Sequence, residues 1–226
     1  MTTKEKTTNK ATTKITTTKI KTTKKKNAWR ENIEAIVIAI VIAMFIRTFI
    51  VQAFKIPSGS MLETLQIGDQ ILVNKFIYGV KIPFTNGKTL ISVKDPKRED
   101  IVVFKYPEDP SKDFIKRVMA VGGDTLEIRD KKLYVNDKLI TDEPYAIHGD
   151  DRIIPGKFST RDNMRKITVP DKKLFVMGDN RDNSHDSRFW GFVDLTEVKG
   201  EAFIIYWSWN KEAFGVRWGR LGNLLF

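Results

Sequence analysis

Three stretches of this sequence hold polar side chains that folding alone does not require. The first is Lys55-Ile56-Pro57-Ser58-Gly59-Ser60-Met61-Leu62-Glu63-Thr64-Leu65. The second, Phe114 to Asp124, sets Lys116 and Arg117 among the apolar Ile115, Val118 and Met119. The third is Met177-Gly178-Asp179-Asn180-Arg181-Asp182-Asn183-Ser184-His185-Asp186-Ser187-Arg188-Phe189-Trp190-Gly191, a polar run between two apolar flanks. Together they offer hydroxyls, an amine, carboxylates and an imidazole, the groups from which hydrolytic sites are built. Taken singly, each has an ordinary explanation. Pro57-Ser58-Gly59-Ser60 reads as a loop, Lys116 as a surface lysine on an edge strand, and the third run as a solvated loop. Ser184-His185-Asp186 contains the residue types of a triad. Adjacent residues point their side chains apart, however, so these three cannot form its relay. His185 reads as an exposed loop residue.

Composition narrows the chemistry. The chain of 226 residues has no cysteine, which excludes disulfides, cysteine zinc sites and thiol catalysis. The two histidines, His148 and His185, argue against a His-rich metal site. No phosphate loop or ligand cluster appears, so no cofactor, metal or nucleotide is expected. The formal charge of +11 belongs mostly to one end: residues 1–26 hold nine Lys against one Glu, leaving only +3 for the remainder. A nucleic-acid binder would carry its basic stripe on the fold itself, so no nucleic-acid partner is expected.

Several elements must position the three stretches. Residues 1–28 form a Thr/Lys-rich tail too poor in apolar side chains to offset its ordering entropy, and the sequence predicts disorder there. Residues 29–54 are apolar apart from Arg30, Glu31, Asn32, Glu34, Arg47, Thr48 and Gln52, with an uninterrupted centre from Ala35 to Ile46. A buried helix of a soluble domain would show a polar face, and this centre has none. A cleavable signal peptide fits the short core, with Val51-Gln52-Ala53 resembling a cleavage site. A retained anchor, the favoured reading, requires Arg47 to snorkel to the far interface while Trp29 marks the near one. The lysines before the segment place the tail in the cytoplasm, so either membrane reading exports the body.

From Ile56 onward the pattern is short β-type runs between turn residues. Strands are predicted at Gln70–Lys75, Ile101–Lys105, Phe114–Val121, Thr125–Arg129, Leu133–Val135, Leu174–Met177 and Ala202–Tyr206. Turns are predicted at Thr85-Asn86-Gly87, Lys94-Asp95-Pro96, Gly122-Gly123-Asp124 and Val135-Asn136-Asp137. Residues 130–170 are richer in charge, Gly and Pro and read as a less buried insertion. Trp207, Trp209 and Trp218 read as core packing and turn anchoring, or as aromatics at a lipid interface.

In combination, the three stretches resemble the conserved boxes of bacterial type I signal peptidases, the Ser–Lys proteases that remove secretory signal peptides. Gly68-Asp69-Gln70-Ile71-Leu72-Val73-Asn74-Lys75-Phe76 adds a fourth match, and the resemblance runs from the apolar segment through Tyr206-Trp207-Ser208-Trp209. Glu63 departs from it, standing where the family usually has proline. The resemblance puts the nucleophile on Ser60, the general base on Lys116, and the oxyanion hole on Ser58 and Ser60. Ser184 then orients the lysine, and Asp179, Arg181, Asp186 and Arg188 form a supporting network. Physically, a serine hydroxyl attacks only when a base takes its proton, and lysine serves as that base only when burial keeps it neutral.

The fold implied is mostly β: an antiparallel β catalytic core over 55–129 and 171–226, an inserted β-rich subdomain over 130–170, and one N-terminal transmembrane helix over 29–54. The activity implied is a membrane-bound serine endopeptidase. It would cleave signal peptides from exported preproteins after small residues, typically Ala, at positions −1 and −3. Its partners would be preprotein signal peptides and membrane lipid. Its place would be the bacterial cytoplasmic membrane, with the N-terminus cytoplasmic and the body on the periplasmic or extracellular side. A noncatalytic tethered β module would have no use for the serine and lysine in these contexts. A soluble Ser–Lys self-cleaving regulator would need a helix-turn-helix that the tail and apolar segment cannot supply.

Overall fold

The computed structural model describes residues 28–79 and 94–225. The tail up to Asn27 and the turn expected at Thr85-Asn86-Gly87 lie outside the described residues. The chain divides into a unit ending at Val41 and a unit starting at Ile42. Helix α1, Ala28–Phe49, carries Glu31 in its first turn and Arg47 in its last, each the charge that its end of the helix dipole favours. Ile36, Val37, Ile38, Ile40, Val41 and Ile42 are each more than half exposed, so the apolar surface goes all the way round. Among the described residues no helix is long and apolar enough to cross a membrane. The charges at Arg30, Glu31, Glu34 and Arg47 leave only Ala35–Ile46 unbroken.

The second unit is mostly antiparallel β. Its strands are β1 (Val51–Lys55), β2 (Asp69–Asn74), β3 (Ile101–Tyr106), β4 (Asp109–Val121), β5 (Thr125–Arg129), β6 (Lys132–Val135), β7 (Lys138–Leu139), β8 (Met164–Thr168), β9 (Lys173–Met177), β10 (Val193–Asp194), β11 (Val198–Asn210) and β12 (Gly215–Val216). One sheet runs β1-β2-β11-β3-β4-β9-β10, with β12 added to β11; a second runs β7-β6-β5-β8. The apolar segment expected as one piece over 29–54 therefore divides. Its last residues leave the helix because their backbone pairs with β2, from Val51 opposite Asn74 to Lys55 opposite Gln70. The small sheet begins at Thr125, ahead of the compositional boundary at 130.

Alternation along β3 shows how the large sheet is buried on both faces. Ile101 and Val103 pack with Ile56, Met61, Leu65, Ile71 and Val73, whereas Val102 and Phe104 pack with Val118, Leu174, Val176 and Val198. Met119, Phe175 and Met177 join Leu126, Ile128, Leu133 and Val135, tying the small sheet to the ends of β4 and β9. Two hairpins of the small sheet turn on residue pairs with positive φ, Asp130-Lys131 and Asn136-Asp137, the geometry that matches strand twist.

Cutting after Ala53 would strip most of β1 from its partner. Mass spectrometry of the full-length protein recovered from expressing cells is expected to give a chain that still includes Val51-Gln52-Ala53. A mature chain beginning at Phe54 would instead establish the segment as a removed leader.

Candidate active site

The loop between β1 and β2 is held from below by two buried side chains, Met61 and Leu65, which enter the core beside Ile71 and Val73. Backbone bonds from Leu62 N to Gly59 O (3.2 Å) and from Leu65 N to Met61 O (2.7 Å) close it into successive turns. Ser60 is thereby fixed at the rim while its neighbour Met61 is pinned inside. Glu63 is exposed and takes no place in the site.

Lys116 comes from the middle of β4, opposite Val102 of β3. Its side chain is buried, with Nζ 2.7 Å from Ser60 Oγ and donating to the Ile115 carbonyl at 3.0 Å. The Phe114 ring lies 5.4 Å from Nζ. Burial lowers the lysine pKa to about 8, with the nearby Asp186 and Asp179 working against the shift and Arg188 working with it. An amine without its extra proton has two N–H groups and a lone pair. One N–H is matched to the Ile115 carbonyl, and the lone pair can accept the Ser60 proton.

Two arginine–carboxylate forks frame this pair. Arg117, next to Lys116 on β4 and therefore on the opposite face, donates from Nε to Asp179 Oδ1 (2.9 Å) and from Nη2 to Asp179 Oδ2 (2.7 Å). Thr64 Oγ1 adds a 2.6 Å bond to the same carboxylate. Arg188 forks Asp186 in the same way, at 2.9 and 2.8 Å, and donates to the carbonyls of Arg181 and Arg161. Burial opposes the Asp186 charge, but Arg188 and the Gly178 N–H outweigh it and hold the carboxyl below its ordinary pKa. Asn180 completes the frame: its N–H donates to the Ser60 carbonyl and its Nδ2 to the Gly59 carbonyl, each at 3.1 Å. Gly178 must be glycine, since a Cβ there would fall 2.3 Å from Ser184 Oγ and 2.4 Å from the Ser60 carbonyl oxygen.

The predicted residues do not all meet at one point. Ser58, Ser60, Lys116, Asn180, Asn183 and His185 line one cavity of about 460 Å³. Ser184 Oγ is buried near enough to Asp186 to favour its charge, but it forms no well-aligned hydrogen bond among the described residues. Arg181 turns its guanidinium away, to Glu143. His185 is exposed, stacks on Phe189, and sets its Nε2 3.3 Å from the Tyr106 hydroxyl. The sequence alone assigns no role to Arg117, Thr64 or Asn180. The available signal was the Lys116-Arg117 pair, two cations on a strand whose alternation must send them to opposite faces.

The family model described as "Signal peptidase, peptidase S26" matches residues 29–207. The chain belongs to this family. Signal peptidase I of Pseudomonas aeruginosa is 39% identical over 197 residues, covering 74% of this chain and 69% of its own. Signal peptidase I of Aquifex aeolicus is 34% identical over 229 residues, covering 79% and 84%. A probable signal peptidase I-2 of Synechocystis sp. is 36% identical over 185 residues, covering 79% and 73%. This S26 signal peptidase is therefore an enzyme of the type I, serine peptidase class.

Burying Lys116 has a consequence for stability. Its folded pKa of about 8 lies below the 10.5 of the free side chain, so between those values the unfolded chain binds more protons and stability rises with pH. Below pH 8 the protonated amine costs about 3 kcal/mol, offset in part by its two hydrogen bonds at roughly 1 kcal/mol each. Lys116→Met is expected to raise unfolding stability by about 1 kcal/mol near neutral pH. Urea titrations should show that gap closing as pH rises from about 8 toward 10.5.

Proposed function

We propose that this signal peptidase removes N-terminal signal peptides from exported preproteins, with Ser60 as nucleophile and neutral Lys116 as general base. The observation that carries the reading is the 2.7 Å contact between Ser60 Oγ and a lysine amine shielded from water. Ser60 Oγ attacks the scissile carbonyl as its proton passes to Lys116 Nζ. The oxyanion accepts hydrogen bonds from the Ser60 N–H and the Ser58 hydroxyl, each donor typically contributing about 3 kcal/mol. Collapse of the tetrahedral species breaks the C–N bond, and Lys116 returns its proton to the leaving amine of the mature protein. Water, deprotonated by the same lysine, then releases the signal peptide from Ser60. In this reading Ser184 orients the Lys116 amine, and Asp179, Arg181, Asp186 and Arg188 hold the frame.

Among the described residues, β4 before Arg117 pairs with β3 alone, since β9 joins only from Arg117 onward. That open edge, ending at the base, suits an extended peptide that adds as a strand. Cleavage after small residues, Ala at −1 and −3, is what the family resemblance implies for it. Although the unbroken apolar length of α1 falls short of a membrane span, we assign it as a single-pass anchor in the bacterial cytoplasmic membrane, with Arg47 snorkelling to the far interface to make up the distance. The lysine-rich tail is then cytoplasmic and the β body lies on the periplasmic or extracellular side, with 130–170 as an insertion in the catalytic core. The all-round apolar surface of α1 supports lipid contact, and the small net charge outside the tail gives no reason to expect a nucleic-acid partner.

Cleavage of a model preprotein in membranes tests the assignment. Ser60→Ala, Lys116→Ala and Lys116→Arg should all lose turnover; the last does so because guanidinium stays protonated and accepts nothing. His185→Ala should cost little. Substantial activity in Lys116→Arg, or collapse in His185→Ala, overturns the Ser–Lys reading.

The pH profile is a second test. Since the neutral amine is the active form, the wild-type rate should climb with pH and level off above about 8. Ser58→Ala should lower kcat with KM nearly unchanged, because the hydroxyl acts in the transition state.

A further inference from the structure

Residues 143–147 of the insertion-like region lie against the catalytic box rather than on their own sheet. Ile147 N donates to the Asp179 carbonyl at 2.8 Å, and Arg181 N donates to the Ile147 carbonyl at 2.9 Å. This is an isolated parallel bridge centred on Asn180. At one end of the segment the Glu143 carboxylate pairs with the Arg181 guanidinium. Between these contacts the Tyr145 ring covers the Arg117 guanidinium, 3.8 Å from its central carbon. Two of these contacts lead to the catalytic pair. Arg117 forks Asp179 and neighbours Lys116 in β4; Asn180, held between the two bridged residues, bonds the carbonyls of Gly59 and Ser60.

We propose that the segment Glu143–Ile147 is a strap that positions the nucleophile loop, with Tyr145 as its central positioning residue. The proposal rests on the assignment of Ser60 and Lys116 above. A ring stacked on a guanidinium fixes the plane of the fork, and the fork fixes Asp179. The adjacent Asn180 then hands that position to the backbone of Ser60. Loosening the ring contact lets the serine drift from the lysine amine without altering the open edge of β4, where substrate would lie. The ring, not the hydroxyl, is the working part. Tyr145 Oη is buried and has no hydrogen-bond partner among the described residues, so its removal should be harmless.

Steady-state cleavage of a model preprotein by the full chain decides the matter, with thermal midpoints recorded for each variant. Tyr145→Phe is expected to stay within about twofold of wild type. Tyr145→Leu should lose about tenfold in kcat, with KM changed less than about twofold, as expected when reacting atoms are misplaced by a fraction of an ångström. Glu143→Gln, which loosens the other end of the strap, should reduce kcat in the same direction. Wild-type kcat in Tyr145→Leu overturns the proposal, as does a loss in Tyr145→Phe equal to that in Tyr145→Leu. Should Tyr145→Leu fail to fold, the isosteric Glu143→Gln decides alone, and wild-type kcat there overturns the strap. Failure of the underlying Ser–Lys reading shows elsewhere, as retained activity in Lys116→Arg.

Discussion

A lysine beside two carboxylates would ordinarily keep its proton, and the arrangement of this site turns on preventing that. At an effective dielectric near 20, unit charges about 4 Å apart interact by roughly 4 kcal/mol. That is enough to cancel the effect of burial on Lys116. Asp179 and Asp186 do pull its pKa upward. Each, however, is already forked by an arginine of its own, Arg117 and Arg188, so the pair of acids presents little net charge. With the field nearly balanced, loss of water dominates, and the lysine gives up its proton near pH 8 rather than near 10.5.

The fold supplies this balance through one strand. β4 alternates, so Lys116 and Arg117 leave on opposite faces, one toward Ser60 and the other toward Asp179. β4 also changes partners along its length, pairing with β3 up to Arg117 and with β9 from Arg117 onward. The polar box emerges from β9 just past Met177, beside that change. Asp179 and Asp186 therefore reach the site from the same loop. Ser60 enters from the other side, on a loop whose Met61 and Leu65 are sunk in the core.

Much of this was legible in the residues, and what was not has physical reasons. Thr125–Arg129 forms β5 as expected, and the centres of β2, β3, β4, β9 and β11 lie where alternation placed them. β1 was hidden because Val51–Phe54 continue the apolar run of the helix, and composition cannot tell a half-buried edge strand from a helix end. β8 was hidden because Arg165 and Lys166 face solvent, leaving Met164 and Ile167 as its apolar positions. In the site, the three boxes and the serine and lysine stood out by their contexts. The partnership of Arg117 with Asp179 did not, since nothing in the spacing of residues that far apart says which arginine meets which acid. Tyr145 was invisible for the same reason.

Stability is a poor explanation for the two buried forks. Removing two charges from water costs several kcal/mol per ion, and well-packed apolar residues of the same volume often serve a core as well or better. The polar groups around them point to a different account. Asp186 accepts from the Gly178 N–H, and Arg188 caps the Arg181 and Arg161 carbonyls. Arg117 takes the Glu99 carbonyl, and Asp179 takes the Thr64 hydroxyl. Apolar replacements would strand the buried Gly178 N–H and Arg181 carbonyl without partners, and would leave the box without fixed contacts to the loop bearing Ser60. Gly178 shows how close the approach is, because even a methyl group there would strike the Ser60 carbonyl and Ser184. The forks thus set both the spacing and the electrical neutrality of the site. An apolar core could reproduce the neutrality but not the spacing.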